Sequence, residues 1–224
     1  MSFWSDFLSN RGLVSDKWAH YIPVYERHLA RFQNRRVTVL EIGCGEGGSL
    51  SLWSKFFGAD AIIVGIDVRP ECKLYENYPA LVRIGNQSDP VFLNQLLEEF
   101  GPFDVVIDDG SHIMRDIIIS FSEIYPKMDR HGVYIVEDLH TSYWPQYGGG
   151  LRKEGTFIEF AKQLIDDLNA GPPTDMPMSD LSKSTVSINF YNSMVVLERG
   201  PVLNRFAKKI GAGTNVNYDN IHLP

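Results

Sequence analysis

The chain is poor in cysteine, in long hydrophobic runs and in net positive charge, and each shortage excludes a class of protein. Its two cysteines, Cys44 and Cys72, are too few for a disulfide framework and read as reduced small side chains. No apolar run approaches the ~20 residues of a membrane-spanning helix. Residues 1–6 lack a basic segment and a long apolar core, so no signal peptide is read and a cytoplasmic setting is expected. Acids outnumber bases by 28 to 21, for a formal charge of −7. That balance speaks against a nucleic-acid partner, which needs a basic stripe. Repeats and low-complexity tracts are missing as well. What is left is a chain of 224 residues, enough for one sizeable α/β domain.

Glycine, by contrast, is concentrated in one place. Val37-Thr38-Val39-Leu40-Glu41-Ile42 leads into Gly43-Cys44-Gly45-Glu46-Gly47-Gly48, with four glycines in six positions. A β-branched run bounded by glycine predicts a buried strand. Glycine then lets the backbone turn sharply and approach a ligand with no Cβ between them. Helical spacing over 49–57 completes a strand–turn–helix unit, the nucleotide-cofactor corner of a doubly wound sheet.

Trp18, Ile22, Tyr25, Leu29 and Phe32 recur at alternating four- and three-residue spacing and predict an amphipathic helix before that strand. Strands are predicted over 37–41, 61–66, 81–84, 103–107 and 132–136. Helices over 48–57, 71–75, 90–100 and 112–127 separate them, and one over 156–169 follows a long loop. Such alternation implies a parallel sheet with right-handed crossovers. Residues 185–191 and 194–198 flank Asn192-Ser193 and predict an antiparallel hairpin. The expected class is α/β: a Rossmann-like, mostly parallel seven-stranded sheet with an antiparallel last strand and helices on both faces. That is the layout of class I methyltransferases. A single domain over 1–224 is expected, with a helical segment over 1–35, a core over 36–200 and a tail over 201–224. The proline-rich stretch 171–178 reads as a surface loop, or as a lid extending to Ser182.

Gly43, Gly45 and Gly48 fit G-x-G-x-x-G, and Asp67 closes the second strand where a ribose-binding acid is needed. An NAD-dependent oxidoreductase and an S-adenosylmethionine enzyme share that requirement. Glu41, two residues before the first glycine, favours S-adenosylmethionine, since it suits the methionine end and would repel a pyrophosphate. No tyrosine is followed four residues later by lysine, so the short-chain dehydrogenase pair is missing. Gln87 and Ser88 are expected near the adenine, and Asp108 on the cofactor side of the fourth strand. Asp89, before Pro90, also suits a helix N-cap.

The fourth strand ends in Asp108-Asp109-Gly110-Ser111-His112 and the fifth in Glu137-Asp138-Leu139-His140. Both ends face the crevice of the glycine turn. Four carboxylates gathered there repel one another unless a cation joins them, and oxygen donors select Mg²⁺, Mn²⁺ or Ca²⁺ over zinc. His112 and His140 compete as general base, since an unperturbed imidazole titrates near neutrality. Tyr143, Trp144 and Tyr147 precede three glycines in a loop whose aromatic faces suit a sugar ring.

Residues 107–112 and 136–149, together with Asp16-Lys17-Trp18-Ala19-His20-Tyr21 and Gly85-Asn86-Gln87-Ser88-Asp89, resemble the macrolide-sugar O-methyltransferase family over roughly 15–200. The mycinamicin and tylosin deoxysugar enzymes belong there, as do enzymes acting on rhamnosyl groups and methylmannose polysaccharides. The resemblance implies S-adenosylmethionine and Mg²⁺ as cofactors, with metal ligands at Asp109, Glu137 and Asp138. It implies His112 as general base and a sugar hydroxyl of a small molecule or oligosaccharide as acceptor, which His140, Tyr143, Trp144 and Tyr147 are expected to contact from their own chemistry. A homo-oligomer is expected. The sequence departs from the pattern at Asn86, where relatives often carry aspartate. It also lacks the large N-terminal domain of some relatives, so acceptor identity is not carried over. The rival readings are a catechol-type metal-dependent O-methyltransferase, whose ligands pair aspartates with an asparagine, a hydroxylase of the cephalosporin type, and an NAD-dependent oxidoreductase.

Overall fold

Seven strands form one sheet: β1 (Thr38–Ile42), β2 (Ile62–Asp67), β3 (Ala80–Ile84), β4 (Val105–Asp108), β5 (Val133–Val136), β6 (Thr185–Tyr191) and β7 (Met194–Arg199). The computed structural model describes residues 2–77, 80–202, 207, 208, 210 and 211. Across the sheet the order is β3-β2-β1-β4-β5-β7-β6. Strands β1 to β5 pair in parallel. Strand β7 runs antiparallel between β5 and β6, closing the hairpin through the turn at Asn192-Ser193. This is the α/β class expected, including the reversed last strand.

Side chains along a strand point alternately to opposite faces, so each β-branched run feeds two apolar layers. Val39, Ile63, Val105 and Ile135 face a layer built on Phe3, Tyr25, Leu29, Trp53 and Phe57. These come from α1 (Phe3–Leu8), α2 (Ile22–Leu29) and α3 (Gly48–Phe57). Leu40, Val64, Val106 and Val136 face the opposite layer of Leu93, Ile117, Phe121, Phe157 and Leu164. That layer comes from α4 (Pro90–Phe100), α5 (Met114–Ile124) and α6 (Phe157–Asn169), with the short α7 (Asp180–Ser184) beyond. Helix starts follow local chemistry. Asp89 caps α4 by accepting from the amides of Val91 and Phe92, with Pro90 in the first turn, where its missing N–H costs nothing. Thr156 caps α6 by accepting from Glu159 N.

Two helices differ from the periodicity. The helix expected from Trp18 to Phe32 is split into a 3₁₀ turn (Ala19–Tyr21), α2 and a second 3₁₀ turn (Ala30–Phe32). Pro23 lies in the first turn of α2 and donates no N–H, which confines the helix start to Ile22. Trp18 therefore stays outside the helix and is 55 % exposed instead of packing in the core. The helix expected over 112–127 begins at Met114 and yields to a 3₁₀ turn (Tyr125–Lys127) where Pro126 interrupts the ladder. Residues 171–178 carry neither helix nor strand, as their prolines predict. Both cysteines are free and buried. Among the described residues, no helix is long and apolar enough to cross a membrane. Most of the expected tail, 203–206, 209 and 212–224, lies outside the described residues.

Candidate functional site

The C-terminal ends of β1, β4 and β5 are stitched together by backbone hydrogen bonds. Asp109 N donates to Ile42 O at 2.9 Å, and Glu137 N donates to Asp108 O at 2.9 Å. Gly43 takes φ of +85°, and a Cβ there would stand 2.2 Å from Asp109 O. Only glycine permits this approach, and it brings the glycine turn against the acidic loop. Beside them opens a cavity of about 830 Å³ that includes Lys17, Gly43, Gly45, Asp109, His112, Glu137, Asp138 and His140 in its lining. One further cavity, of about 300 Å³, lies toward β2 and β3 and is lined among others by Asp67, Arg69, Asn86, Gln87 and Ser111.

The acidic loop ends hold an ordered set of charges. Single ligand atoms of Asp109, His112 and Asp138 lie within 4.8 Å of one another. His112 Nε2 is 3.9 Å from Asp109 Oδ1 and 3.6 Å from Asp138 Oδ2. His112 (φ 57°) and Asp138 (φ 53°) are both left-handed, a conformation that costs a non-glycine residue about 1–2 kcal/mol. Tyr21 holds Asp138 there: its hydroxyl donates to Asp138 Oδ1 at 2.7 Å and accepts from Asp138 N at 3.1 Å. The Nδ1 atom of His112 is buried without a hydrogen-bond partner.

Glu137 points inward. Its Oε1 accepts from Tyr25 OH at 2.6 Å and its Oε2 from Lys17 Nζ at 3.2 Å. Burial pushes its carboxyl up to about 8, against the pull of Lys17. Glu41 is fully buried, accepting from Ser49 Oγ at 2.6 Å and Trp53 Nε1 at 3.1 Å, with Lys17 Nζ 3.4 Å away. Burial raises the Glu41 carboxyl as well, again opposed by Lys17. Lys17 reaches Asp109 Oδ2 at 2.5 Å. Burial opposes the charge on Lys17, but Asp109, Glu137 and Glu41 outweigh it and hold the ammonium protonated well above the usual lysine range.

In the smaller cavity, Asp67 accepts from Gly45 N at 3.1 Å and from the Arg69 amide and guanidinium. Burial works to raise the Asp67 carboxyl, but its bonds from Arg69 and Gly45 win and hold it low. Gln87 is buried, donating to Asp108 Oδ1 at 3.1 Å and accepting from Ser111 N at 2.6 Å. Asp108 is sealed behind it, where burial lifts its carboxyl to about 6 in spite of bonds from Ser120, Gln87 and Tyr134. Ser88 Oγ turns to Asn86 Oδ1 at 2.9 Å.

Trp18 and His140 line the larger cavity, whereas Tyr143, Trp144 and Tyr147 line neither of the two cavities. His140 stands edge-on to Trp144 (4.7 Å between centroids) and to Trp18 (6.0 Å), and its Nδ1 lies 2.6 Å from Ser193 Oγ. Tyr147 is 6.3 Å from the His112 ring. Trp144 and Tyr143 are 44 % and 48 % exposed, so neither is a core residue.

The structure thus gathers Gly43, Gly45, Asp109, His112, Glu137, Asp138 and His140 around one cavity, and Asp67 and Gln87 around the other. Glu41 and Asp108 sit behind the cavity walls, and Ser88 lines neither of the two. Gly48 packs against the segment before Lys17: its amide donates to Val14 O at 3.2 Å. Sequence reasoning gave no role to Lys17, Tyr21, Tyr25 or Ser193. It placed Trp18 in an amphipathic helix, which the structure does not form there. The signal available was the run Asp16 to Tyr21, which contains Lys17, Trp18 and Tyr21 but has no periodicity that names a role.

No protein-family model matches the chain. It is 36% identical over 198 residues to 8-demethyl-8-alpha-L-rhamnosyl tetracenomycin-C 2'-O-methyltransferase of Streptomyces olivaceus, covering 83% of this chain and 52% of that protein. It is 34% identical over 203 residues to demethylmacrocin O-methyltransferase of Streptomyces fradiae, covering 84% of this chain and 51% of that one. Among solved structures, MycE methyltransferase from the mycinamycin biosynthetic pathway, in complex with Mg, SAH and mycinamycin VI, matches with a TM-score of 0.77. That match has 31% identity and covers 89% of this chain and 53% of the other. The chain spans about half the length of the relatives it matches.

Proposed function

Since the chain belongs to the macrolide- and deoxysugar-type O-methyltransferases, we propose that it transfers a methyl group from S-adenosylmethionine to a sugar hydroxyl with the help of a divalent cation. The observation that carries this reading is the convergence of Asp109, His112 and Asp138 beside the glycine turn, their ligand atoms within 4.8 Å of one another. Mg²⁺ fits the oxygen donors present, the half-buried carboxylates of Asp109 and Asp138. Asp109 and Asp138 would hold the ion, and Glu137, whose oxygens meet Tyr25 and Lys17, would join them on turning from those partners. Such an ion supplies Lewis acidity that makes a nearby hydroxyl easier to deprotonate.

The remaining chemistry belongs to the chain. The acceptor oxygen attacks the methyl carbon as the carbon–sulfur bond breaks, and the electron pair stays on sulfur. His112 Nε2 takes the hydroxyl proton, a role typically worth ~10²–10⁴-fold. Asp67 accepts from the ribose hydroxyls once Arg69 gives way, and the cavity lined by Asn86, Gln87 and Ser111 suits the adenine. Gly43 and Gly45 leave room for the cofactor backbone. Trp18, Trp144 and Tyr147 offer flat apolar faces to the sugar, with His140 at the rim. Assembly of several copies belongs to the same proposal and is read by light scattering.

The test is a set of thermal melts with S-adenosylhomocysteine, NAD and Mg²⁺, followed by methyl transfer onto a panel of glycosides. Stabilisation by S-adenosylhomocysteine and loss of transfer in His112→Ala are expected. Stabilisation by NAD alone, or full transfer by His112→Ala, refutes the reading in the first case and the base in the second.

A further inference from the structure

Lys17 carries a charge that the chemistry above leaves unused. Its side chain is 2% exposed, and its Nζ lies 2.5 Å from Asp109 Oδ2, 3.2 Å from Glu137 Oε2 and 3.4 Å from Glu41 Oε1. An ammonium has three N–H donors, and three carboxylates surround this one. The three acidic side chains hold the buried ammonium charged, and the ammonium in turn opposes the rise that burial imposes on Glu41 and Glu137. The cluster therefore has two halves. Glu41, which does not line the cavity, forms the inner half with Lys17, and Glu137 lines the cavity between the two halves. Asp109, His112 and Asp138 form the open half. Asp109 belongs to both, with Oδ2 on Lys17 and Oδ1 facing His112.

We propose that Lys17 is a tethered counter-cation that competes with the divalent ion for Asp109 and Glu137 and thereby sets how tightly the cleft holds metal. The inference rests on the metal-dependent reading of this site. An ion entering the open half must share Asp109 with an ammonium that already bonds one of its oxygens. It also adds positive charge a few ångströms from that ammonium in a poorly solvated setting. The backbone three residues before Lys17 is held to α3 where Gly48 N donates to Val14 O, which keeps the Lys17 segment beside the cleft. In the metal-free protein the same ammonium keeps the carboxylates from repelling one another. Lys17 is thus a positioning residue: it acts through Asp109 and Glu137 and not on the acceptor.

The experiment is calorimetric titration of Mg²⁺ into the cofactor-free wild type and Lys17→Met, with thermal melts of both in chelator. Lys17→Met is expected to melt lower in chelator and to bind Mg²⁺ about tenfold more tightly, since one nearby positive charge is gone. Equal or weaker binding by Lys17→Met overturns the inference. Where that variant fails to fold, Glu41→Gln carries the test. It keeps the ammonium but removes its inner partner, so Mg²⁺ binding is expected to weaken, and unchanged or tighter binding overturns the inference. Mg²⁺ binding in the wild type that neither variant alters removes Lys17 from this role and leaves the metal reading standing. Failure of the wild type and both variants to bind Mg²⁺ removes the two together.

Discussion

Substituting alanine for Gly48 inverts an ordinary rule. At a helix position, Gly→Ala normally stabilises by up to ~1 kcal/mol, because alanine has less backbone freedom to lose. Gly48 is the first residue of α3, and its backbone is not left-handed, so the rule predicts a gain. The surroundings predict the opposite. A Cβ on Gly48 would lie 2.1 Å from Val14 O, 2.3 Å from Val14 C and 2.5 Å from Leu13 O, all backbone atoms that no rotamer change can move. Overpacking of this kind costs about 1–3 kcal/mol. Displacing the segment also breaks the bond from Gly48 N to Val14 O, worth about 1 kcal/mol. After the propensity gain is subtracted, Gly48→Ala is expected to lose about 1–3 kcal/mol of stability. The displaced segment carries Lys17 three residues on, so Mg²⁺ affinity should change as well. Urea unfolding of both proteins reads the first effect, and Mg²⁺ titration the second. A variant as stable as the parent, or more stable, refutes the claim that the Val14 backbone is rigidly docked on α3.

Asp108 gives a pH-dependent prediction. Its carboxyl moves from 3.8 to about 6 on folding, so between those values the folded protein holds a proton that the unfolded chain has released. The associated stability is full below about 4 and is lost as pH rises through about 6, about 3 kcal/mol at ~1.4 kcal/mol per unit. Urea titrations from pH 4 to 7 should show that slope in the wild type and a flatter one in Asp108→Asn; equal slopes would assign it to other groups. Tyr25→Phe removes the hydroxyl that donates to buried Glu137 at 2.6 Å and should cost about 1–3 kcal/mol in thermal or urea unfolding, with no change counting against it. Trp18→Ala should raise KM for a glycoside acceptor several-fold while S-adenosylhomocysteine affinity stays the same; an unchanged KM would take Trp18 out of the acceptor site.

The sheet was legible because its signals are local. Apolar β-branched runs, a glycine cluster and proline breaks lie within a few residues of what they determine, and strand ends in a parallel sheet share one crevice by topology. Asp109, His112 and Asp138 were reachable by that route. Lys17 was not, since its partners lie 92 and 120 residues away and it sits in an irregular segment. Glu41 has the sequence position of a cofactor-facing acid, yet Ser49 and Trp53 on α3 turn it into the core. Trp18 matched a helical spacing that Pro23 cuts short. For Lys17 and Glu41 the outcome depends on which surface a side chain meets, which spacing along the chain does not encode.

The hairpin turn at Ser193 also bears on when the site can exist. Leu139 N donates to Ser193 O at 2.9 Å, His140 N donates to Ser193 Oγ at 3.0 Å, and the Tyr21 hydroxyl lies 3.2 Å from Ser193 O. Tyr21 and the loop after β5 are therefore clamped by a turn made only after β5. A nascent chain that has completed β1 to β5 already owns every carboxylate of the cleft but cannot hold Tyr21 and His140 in register. Ligand affinity should therefore arrive abruptly, with β7, and not build up strand by strand.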